Sequence, residues 1–115
     1  ANRGQANAVI RLSSPLVFYH RAELGVLAVK RRLPSVSMFV EFAEAGGLMA
    51  YGPSLREAFR RAGGFTSRIL QGARPADMPV ERPTQFELVI NRKTAKALGP
   101  MLAASLVNRA DRVID

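Results

Sequence analysis

The stretch formed by residues 46–54 constrains the fold of this chain more than any other part of it. Four residues, 48–51, read as a buried strand between a glycine pair and a glycine-proline pair, and Ser54 follows with a glutamate three residues on. This order predicts a strand, a tight turn that ends it and a helix capped by the serine. Because glycine permits close approach to a ligand, the turn can place the ring of Tyr51 at the rim of a cleft.

The rest of the chain alternates between strand-like and helix-like patterns. Strands are expected at residues 7–13, 35–39, 48–51 and 86–91. Helices are expected at residues 16–32, 40–45, 55–71, 93–98 and 105–110, and the proline-rich residues 73–84 should run extended. Strands that alternate with helices predict a three-layer α/β sandwich with a mostly parallel sheet.

The helix expected at residues 55–71 is amphipathic. Its apolar positions fall on one face: Leu55, Ala58, Phe59, Ala62, Phe65, Ile69 and Leu70. Glycines at 63 and 64 cost roughly 1 kcal/mol each relative to alanine. We therefore interpret this pair as a point of close helix packing or a kink, and Gly72 as the signal that ends the helix.

Composition limits the classes of function that remain open. The chain has 115 residues, enough for one domain, and a net charge of +8 from 17 Lys and Arg against 9 Asp and Glu. The basic residues are scattered and aromatic residues make up 7% of the chain, so we interpret the charge as a solvated surface and expect no nucleic-acid partner. A basic α/β regulatory or nucleic-acid-binding domain remains the alternative. A gel-shift titration at two salt concentrations would distinguish it from a protein whose charge is only a solvated surface.

Several chemistries are unfavourable for this sequence. It has no cysteine, which excludes disulfides, thiol catalysis and cysteine-ligated metals, and a single histidine cannot build a histidine metal cluster. We expect neither a metal nor a cofactor. No apolar run approaches the roughly 20 residues of a membrane span. The first residues do not resemble a signal peptide, and the missing initiator methionine suggests a processed chain or an excised fragment.

Candidate binding residues follow the expected strands, because ligands of open α/β sheets bind beyond the carboxyl ends of strands. The loops at residues 13–15, just after Phe39 and at residues 51–54 qualify. Their hydroxyl groups suit hydrogen bonding to a small polar solute, and the candidates are Ser13, Ser14, Tyr51 and Ser54. The alternative for Ser14 and Ser54 is that they only cap helices.

No enzyme signature emerges from the sequence. His20 has no nucleophile or carboxylate partner at a recognisable spacing, and a solvated helix face explains Glu41 and Glu44 better than acid-base chemistry does. The glycine pairs lack the spacing of a dinucleotide or phosphate loop. We therefore expect a protein that is not an enzyme.

A long collinear series of residues carries a family likeness. It consists of Leu33-Pro34 and residues 41–55, 60–62, 69–81, 86–91 and 93–99. This series closely resembles the C-terminal part of the ABC transporter substrate-binding protein family related to tryptophan and tyrosine uptake. The resemblance implies the C-terminal lobe of a type I periplasmic binding protein, whose two lobes close on a solute and deliver it to the permease subunits of an importer.

The resemblance also implies how the chain divides. Residues 1–50 and 92–115 would belong mainly to the C-terminal lobe, while residues 51–91 would supply the hinge, at Gly52 and Pro53, and a helix and strand that pack on a missing N-terminal lobe. The protein would be periplasmic or otherwise extracytoplasmic and membrane-associated, and the exposed helix should make the isolated chain self-associate.

One departure from the family pattern concerns the solute. Amino-acid-binding relatives look as if they carry Thr-Asp-Asn at the end of the first strand, where this chain has Ser13, Ser14 and Pro15. The carboxylate that would meet a substrate ammonium is absent, so the resemblance does not imply an amino-acid substrate.

Overall fold

The structure, a computed structural model, describes residues 6–99 and 102–115. It contains a 5-stranded sheet in which the strands lie side by side in chain order. The strands are β1 (Val9–Arg11), β2 (Ser35–Ser37), β3 (Met49–Pro53), β4 (Phe86–Asn91) and β5 (Arg112–Ile114). All neighbouring strands are parallel except β3 and β4, which are antiparallel. The predicted α/β fold with a mostly parallel sheet is confirmed.

The helices connect these strands as the sequence pattern predicts. They are α1 (Pro15–Tyr19), α2 (Arg21–Lys30), α3 (Val40–Glu44), α4 (Leu55–Leu70), α5 (Arg92–Leu98) and α6 (Ala104–Asn108). The single helix expected at residues 16–32 is divided at His20, whose backbone leaves helical geometry with φ −88° and ψ 20°. A short 3₁₀ turn, Pro75–Asp77, interrupts the segment that was expected to be fully extended. The proline after α5, at position 100, lies outside the described residues.

The predicted end of the third strand is wrong. β3 continues through Gly52 and Pro53, which pair with Glu87 and Phe86 of β4. A proline is tolerated there because it is the last residue of the strand, where the lost N–H donor interrupts the ladder least. The antiparallel partner β4, which the local sequence does not reveal, extends the strand beyond its apolar run.

The core lies between the sheet and α3. Ala43 of α3 is fully buried against Ala50 of β3 and Val89 of β4. The largest side chains that are fully buried are those of Phe42, Leu48, Ile90 and Val89. On the opposite face of the sheet, Ile90 shares a cavity with Val107 of α6, so helices lie on both sides of the sheet there. The remainder of that face is open, as the 76% exposure of Ile10 illustrates.

A buried polar pair ties α3 and α5 together at the edge of the sheet where β3 begins. The Asn91 side-chain amide donates to the carbonyl of Ala43 at 2.9 Å, and its oxygen accepts from the N–H of Thr94 at 2.9 Å. The Thr94 hydroxyl donates to the carbonyl of Gly46 at 2.9 Å. These bonds satisfy carbonyls at the end of α3 that would otherwise be orphaned in the interior.

The helix ends follow the predicted signals. α3 and α4 are each followed by a glycine in the left-handed region, Gly46 with φ 101° and Gly72 with φ 103°. α2 ends with two backbone hydrogen bonds of the kind that also follow α3 and α4. The N–H of Arg32 donates to the Val29 carbonyl and the N–H of Leu33 donates to the Ala28 carbonyl, but here Arg32 has the left-handed φ of 52°. This is a Schellman ending in which an arginine occupies the position that glycine normally fills.

Candidate functional site

The loops that carry the candidate residues lie at one edge of the sheet. Because β1, β2 and β3 are mutually parallel, their carboxyl ends point the same way. The segments that follow these strands therefore start from the same edge, as expected for ligand sites of open α/β sheets. β4 runs antiparallel to β3, so its first residue, Phe86, lies at this edge too.

Ser13 and Ser14 lie beside a small cavity between the ends of β1 and β2, which we call the β1–β2 notch. Its volume is about 10 Å³. The notch is lined by Arg11, Leu12, Ser13, Ser14, Val17, Phe18, Arg21, Ser37, Phe39 and Phe42. Ser14 caps α1, since its Oγ accepts from the N–H of Val17 at 3.1 Å, whereas Ser13 is exposed.

Arg11 is the most unusual side chain of the notch. Its guanidinium lies 4.1 Å from the centroid of the Phe42 ring, and Nη2 donates to the Val17 carbonyl at 2.6 Å. Nε and Nη1 are buried and have no hydrogen-bond partner. Burial lowers the pKa of the Arg11 guanidinium below its ordinary value. The strand thus holds a partly desolvated cation at the point where the candidate site begins.

A second guanidinium, that of Arg21 at the start of α2, also lines the notch. It lies 4.8 Å from the centroid of the Phe18 ring and donates from Nη1 to the Phe18 carbonyl at 3.1 Å. The two arginines therefore hold the consecutive carbonyls of Val17 and Phe18. No Asp or Glu is among the residues that line the notch, so both cations face a site without a described acidic partner.

Ser54 lies in a different cavity, a groove of about 490 Å³ that runs along α4. Its Oγ accepts from the N–H of Glu57 at 3.4 Å, so Ser54 caps α4. The groove separates α4 from the segment around Glu81, and ion pairs bridge it: Glu81 lies 3.6 Å from Arg61 and 4.0 Å from Arg68. These pairs hold α4 and the returning segment together as one arm.

Tyr51 lines neither of these cavities. Its ring stacks on that of Phe86 with centroids 5.9 Å apart and an interplanar angle of 27°. Both rings stand on the open face of the sheet, and Tyr51 is 58% exposed and Phe86 48% exposed. The structure therefore brings Ser13 and Ser14 together, and it places Ser54 and Tyr51 apart from them along the same edge.

Gly52 is fixed by close packing with the end of β2. A Cβ atom added to it would lie 2.1 Å from the carbonyl oxygen of Met38, far inside van der Waals contact. Gly52 and Pro53 both pair with β4, so the hinge that the sequence predicts at these residues stays a prediction.

Two expectations about acidic residues need correction. His20 does have a carboxylate neighbour, because its Nδ1 lies 3.1 Å from Oε2 of Glu23, one helical turn on. This exposed pair is a surface contact. Glu44 is exposed and pairs with Arg112 at 2.5 Å, but Glu41 is partly buried and its Oε2 lacks a partner. The solvated-face interpretation therefore fits Glu44 and not Glu41.

Arg11, Arg21 and Phe86 were not among the candidates from the sequence. Arg11 had a detectable signal: with Val9 it occupies alternate positions of a strand and faces the covered side of the sheet. Phe86 had none, because its position depends on pairing with β3. Arg21 contacts Phe18, three residues earlier, but the residues of β2 that share the notch with it are distant in the chain. Within residues 6–99 and 102–115, no group of three or more His, Asp or Glu residues is arranged to hold a metal. No described helix combines the length and apolar character needed to cross a bilayer.

The fold and the site together define an α/β fold with the candidate ligand residues at the carboxyl edge of a mixed sheet. A family model described as ABC transporter substrate binding protein matches residues 7–114. The chain belongs to this family, as its sequence resemblance indicated. None of the curated protein sequences compared with the chain matches it.

Solved structures with similar folds cover nearly all of the chain. A conserved domain protein from Vibrio cholerae O1 biovar El Tor aligns with a TM-score of 0.86 at 20% identity, over 93% of this chain and 36% of its own. An ABC domain from Streptococcus pneumoniae in complex with L-Trp aligns with a TM-score of 0.85 at 24% identity, over 96% of this chain and 37% of its own. A ligand-free, open substrate-binding protein with adhesive properties from Clostridium difficile aligns with a TM-score of 0.65 at 20% identity, over 97% of this chain and 37% of its own.

These identities are low, so the similarity establishes the fold alone. The chain spans 36% to 37% of the length of these proteins.

Proposed function

We propose that this chain is the C-terminal portion of a two-lobe protein that binds a small polar organic solute between its lobes, and delivers it to the permease subunits of an ABC importer. The protein would work without catalysis outside the cytoplasm, in the periplasm or at the membrane surface. Residues 1–50 and 92–115 would form most of this lobe, and residues 51–91 would reach the other lobe. Within these ranges the structure describes residues 6–99 and 102–115.

The observation that carries the proposal is the exposure of α4. This helix has 16 residues and a strongly one-sided distribution of apolar side chains, yet it buries none of them. Phe59 is 74% exposed and Leu70 is 82% exposed. An amphipathic helix normally places its apolar stripe against another element, so a second body of protein is expected to cover α4.

Shape and surface area support the same proposal. The radius of gyration is 17.4 Å, against about 13 Å for a compact chain of this length. The accessible surface is 8467 Å², whereas a compact monomer of this mass exposes about 6,200 Å². The excess of roughly 2,300 Å² exceeds what a standard-sized protein interface buries in total, which agrees with a large interface to another lobe.

The connections to α4 suggest how closure would occur. The chain leaves the sheet at the end of β3 and returns at the start of β4, and these strands pair up to Pro53 and Phe86. Ion pairs join α4 to the returning segment at Glu81. Bending near Gly52 and Pro53 would let the arm and its lobe move as one unit over the carboxyl edge of the sheet.

Calorimetry on the complete protein with a panel of small solutes tests the proposal. Ser13, Ser14, Tyr51 and Ser54 are the proposed contacts, and Tyr51→Ala and Ser14→Ala should each weaken binding. Ser14→Thr retains a hydroxyl that can cap α1 and serves as the matched control, while Tyr51→Phe separates the ring from its hydroxyl. If both alanine variants bound the solute as the parent does, the cleft assignment would be wrong.

A nucleic-acid-binding or regulatory domain is the alternative, supported only by the net charge of +8. A gel-shift titration with duplex DNA at two salt concentrations separates the two. Binding to DNA phosphates weakens steeply as the salt concentration increases. A nucleic-acid-binding domain should therefore shift the DNA at low salt and lose this shift at high salt, whereas a solute-binding protein should not shift the DNA at either concentration.

A further inference from the structure

We infer that the solute carries a carboxylate, and that the β1–β2 notch with Arg11 and Arg21 is the subsite that receives it. The inference rests on the proposed function and adds the chemical class of the solute. It follows from the side chains at the notch and from the hydrogen-bonding capacity that they leave unused.

Unused donors are the first part of the argument. Each guanidinium has five N–H donors, and each makes a single described hydrogen bond, to a carbonyl of α1. Nε and Nη1 of Arg11 are buried without a partner. Buried donors without partners are rare because each costs free energy, so such atoms indicate a missing acceptor.

Charge is the second part of the argument. The faces of Phe42 and Phe18 attract the two cations, but a ring offers far less compensation than an anion does. Neither arginine forms an ion pair with a described carboxylate, and the notch lining contains no acidic residue. A ligand carboxylate would offset one of the two positive charges and could accept from both guanidinium groups, without meeting a repelling carboxylate in the notch lining.

Size and position decide the form of the ligand group. A volume of about 10 Å³ holds roughly one oxygen-sized atom. One carboxylate oxygen fits in the notch, and the second would lie outside it near the exposed hydroxyl of Ser13. The rest of the solute would then extend along the sheet edge toward β3. An ammonium group would find no acidic partner in the notch, so this subsite favours acids over amines.

Paired acids and amides of the same shape test the inference on the complete protein. Calorimetry would compare benzoate with benzamide, and indole-3-propionate with indole-3-propionamide, with inorganic phosphate as a free anion. We expect at least one acid to bind about tenfold or more tightly than its amide, the effect of one charged hydrogen bond. Arg21→Gln and Arg11→Gln should remove this preference, while Lys30→Gln, an exposed residue at the end of α2, should retain it.

Arg11 also supports α1, because it donates to the Val17 carbonyl, so circular dichroism would check that Arg11→Gln folds. If Arg11→Gln does not fold, the result for Arg21→Gln decides whether the notch selects acids. Equal affinity for acids and amides, acid preference that survives in Arg21→Gln, or binding of phosphate alone would each overturn the inference. Binding of amides or other uncharged solutes would leave the proposed function standing. If no solute of any charge bound, the proposed function and the inference would both fail.

Discussion

Replacing Gly52 with alanine tests whether this residue is needed for close packing. The new Cβ would lie 2.1 Å from the carbonyl oxygen of Met38 and 2.9 Å from its carbonyl carbon. Ordinary contacts begin near 3.4 Å, so the ends of β2 and β3 would have to separate by more than an ångström. Both clashing atoms belong to the backbone, and no side-chain rotation can relieve them.

We expect a loss of about 2–3 kcal/mol in the free energy of unfolding, the upper part of the range for overpacked sites. Urea denaturation of this 115-residue chain at low concentration, followed by circular dichroism, would measure it. Gly63→Ala is the matched control, because a Cβ there meets no atom within 4 Å and alanine favours the helix by up to about 1 kcal/mol. A Gly52→Ala variant as stable as the parent would refute the packing argument.

Further predictions concern the interior, a helix end, a surface carboxylate and α4. Asn91→Ala should reduce stability by about 2–4 kcal/mol by urea denaturation, because it orphans the Ala43 carbonyl and the Thr94 N–H; a loss below 1 kcal/mol would contradict this. Arg32→Gly should raise the free energy of unfolding by up to about 1 kcal/mol, since the residue has φ 52°; a decrease would speak against strain. The bond from Arg60 holds the pKa of Glu57 below its ordinary value, so its stabilisation is present above pH 4.5 and is lost as pH falls further; an NMR titration midpoint at or above 4.5 would disprove it. The isolated chain should self-associate through α4 in light scattering, and Phe59→Ser should reduce this; a strictly monomeric parent at high concentration would count against a missing lobe.

Local patterns predicted the elements of this fold well because most of their signals are local. The glycines at 46 and 72 end helices through their own backbone preference, and Ser54 caps α4 through a bond to a residue three positions on. The break at His20, the length of β3 and the fifth strand, β5, were missed. β3 extends over Gly52 and Pro53 because β4 pairs with it, and β4 starts more than 30 residues later in the chain.

The candidate site was predicted less completely for the same reason. The sequence predicted that the loops after the first three strands share one edge of the sheet, and the parallel directions of β1, β2 and β3 place them there. It did not identify Arg11, which appeared as one of many scattered basic residues. Only the packing of α1 and α3 around β1 buries its Nε and Nη1 atoms. No described atom lies within 4 Å of a Cβ built at Gly63 or Gly64, so close helix packing at this pair stays a prediction for the surface that the second lobe would cover.

Hydrogen exchange on the complete protein, with and without a solute from the calorimetric panel, tests whether a solute binds in a cleft between two lobes. We expect solute to slow exchange at residues 12–14, at residues 38–39 and at the end of β3, while residues 46–48 at the opposite edge stay unchanged. We also expect α4 to be protected in the complete protein and to exchange rapidly in this chain alone. Protection confined to other regions, or an α4 that exchanges equally in both, would contradict a solute cleft between two lobes.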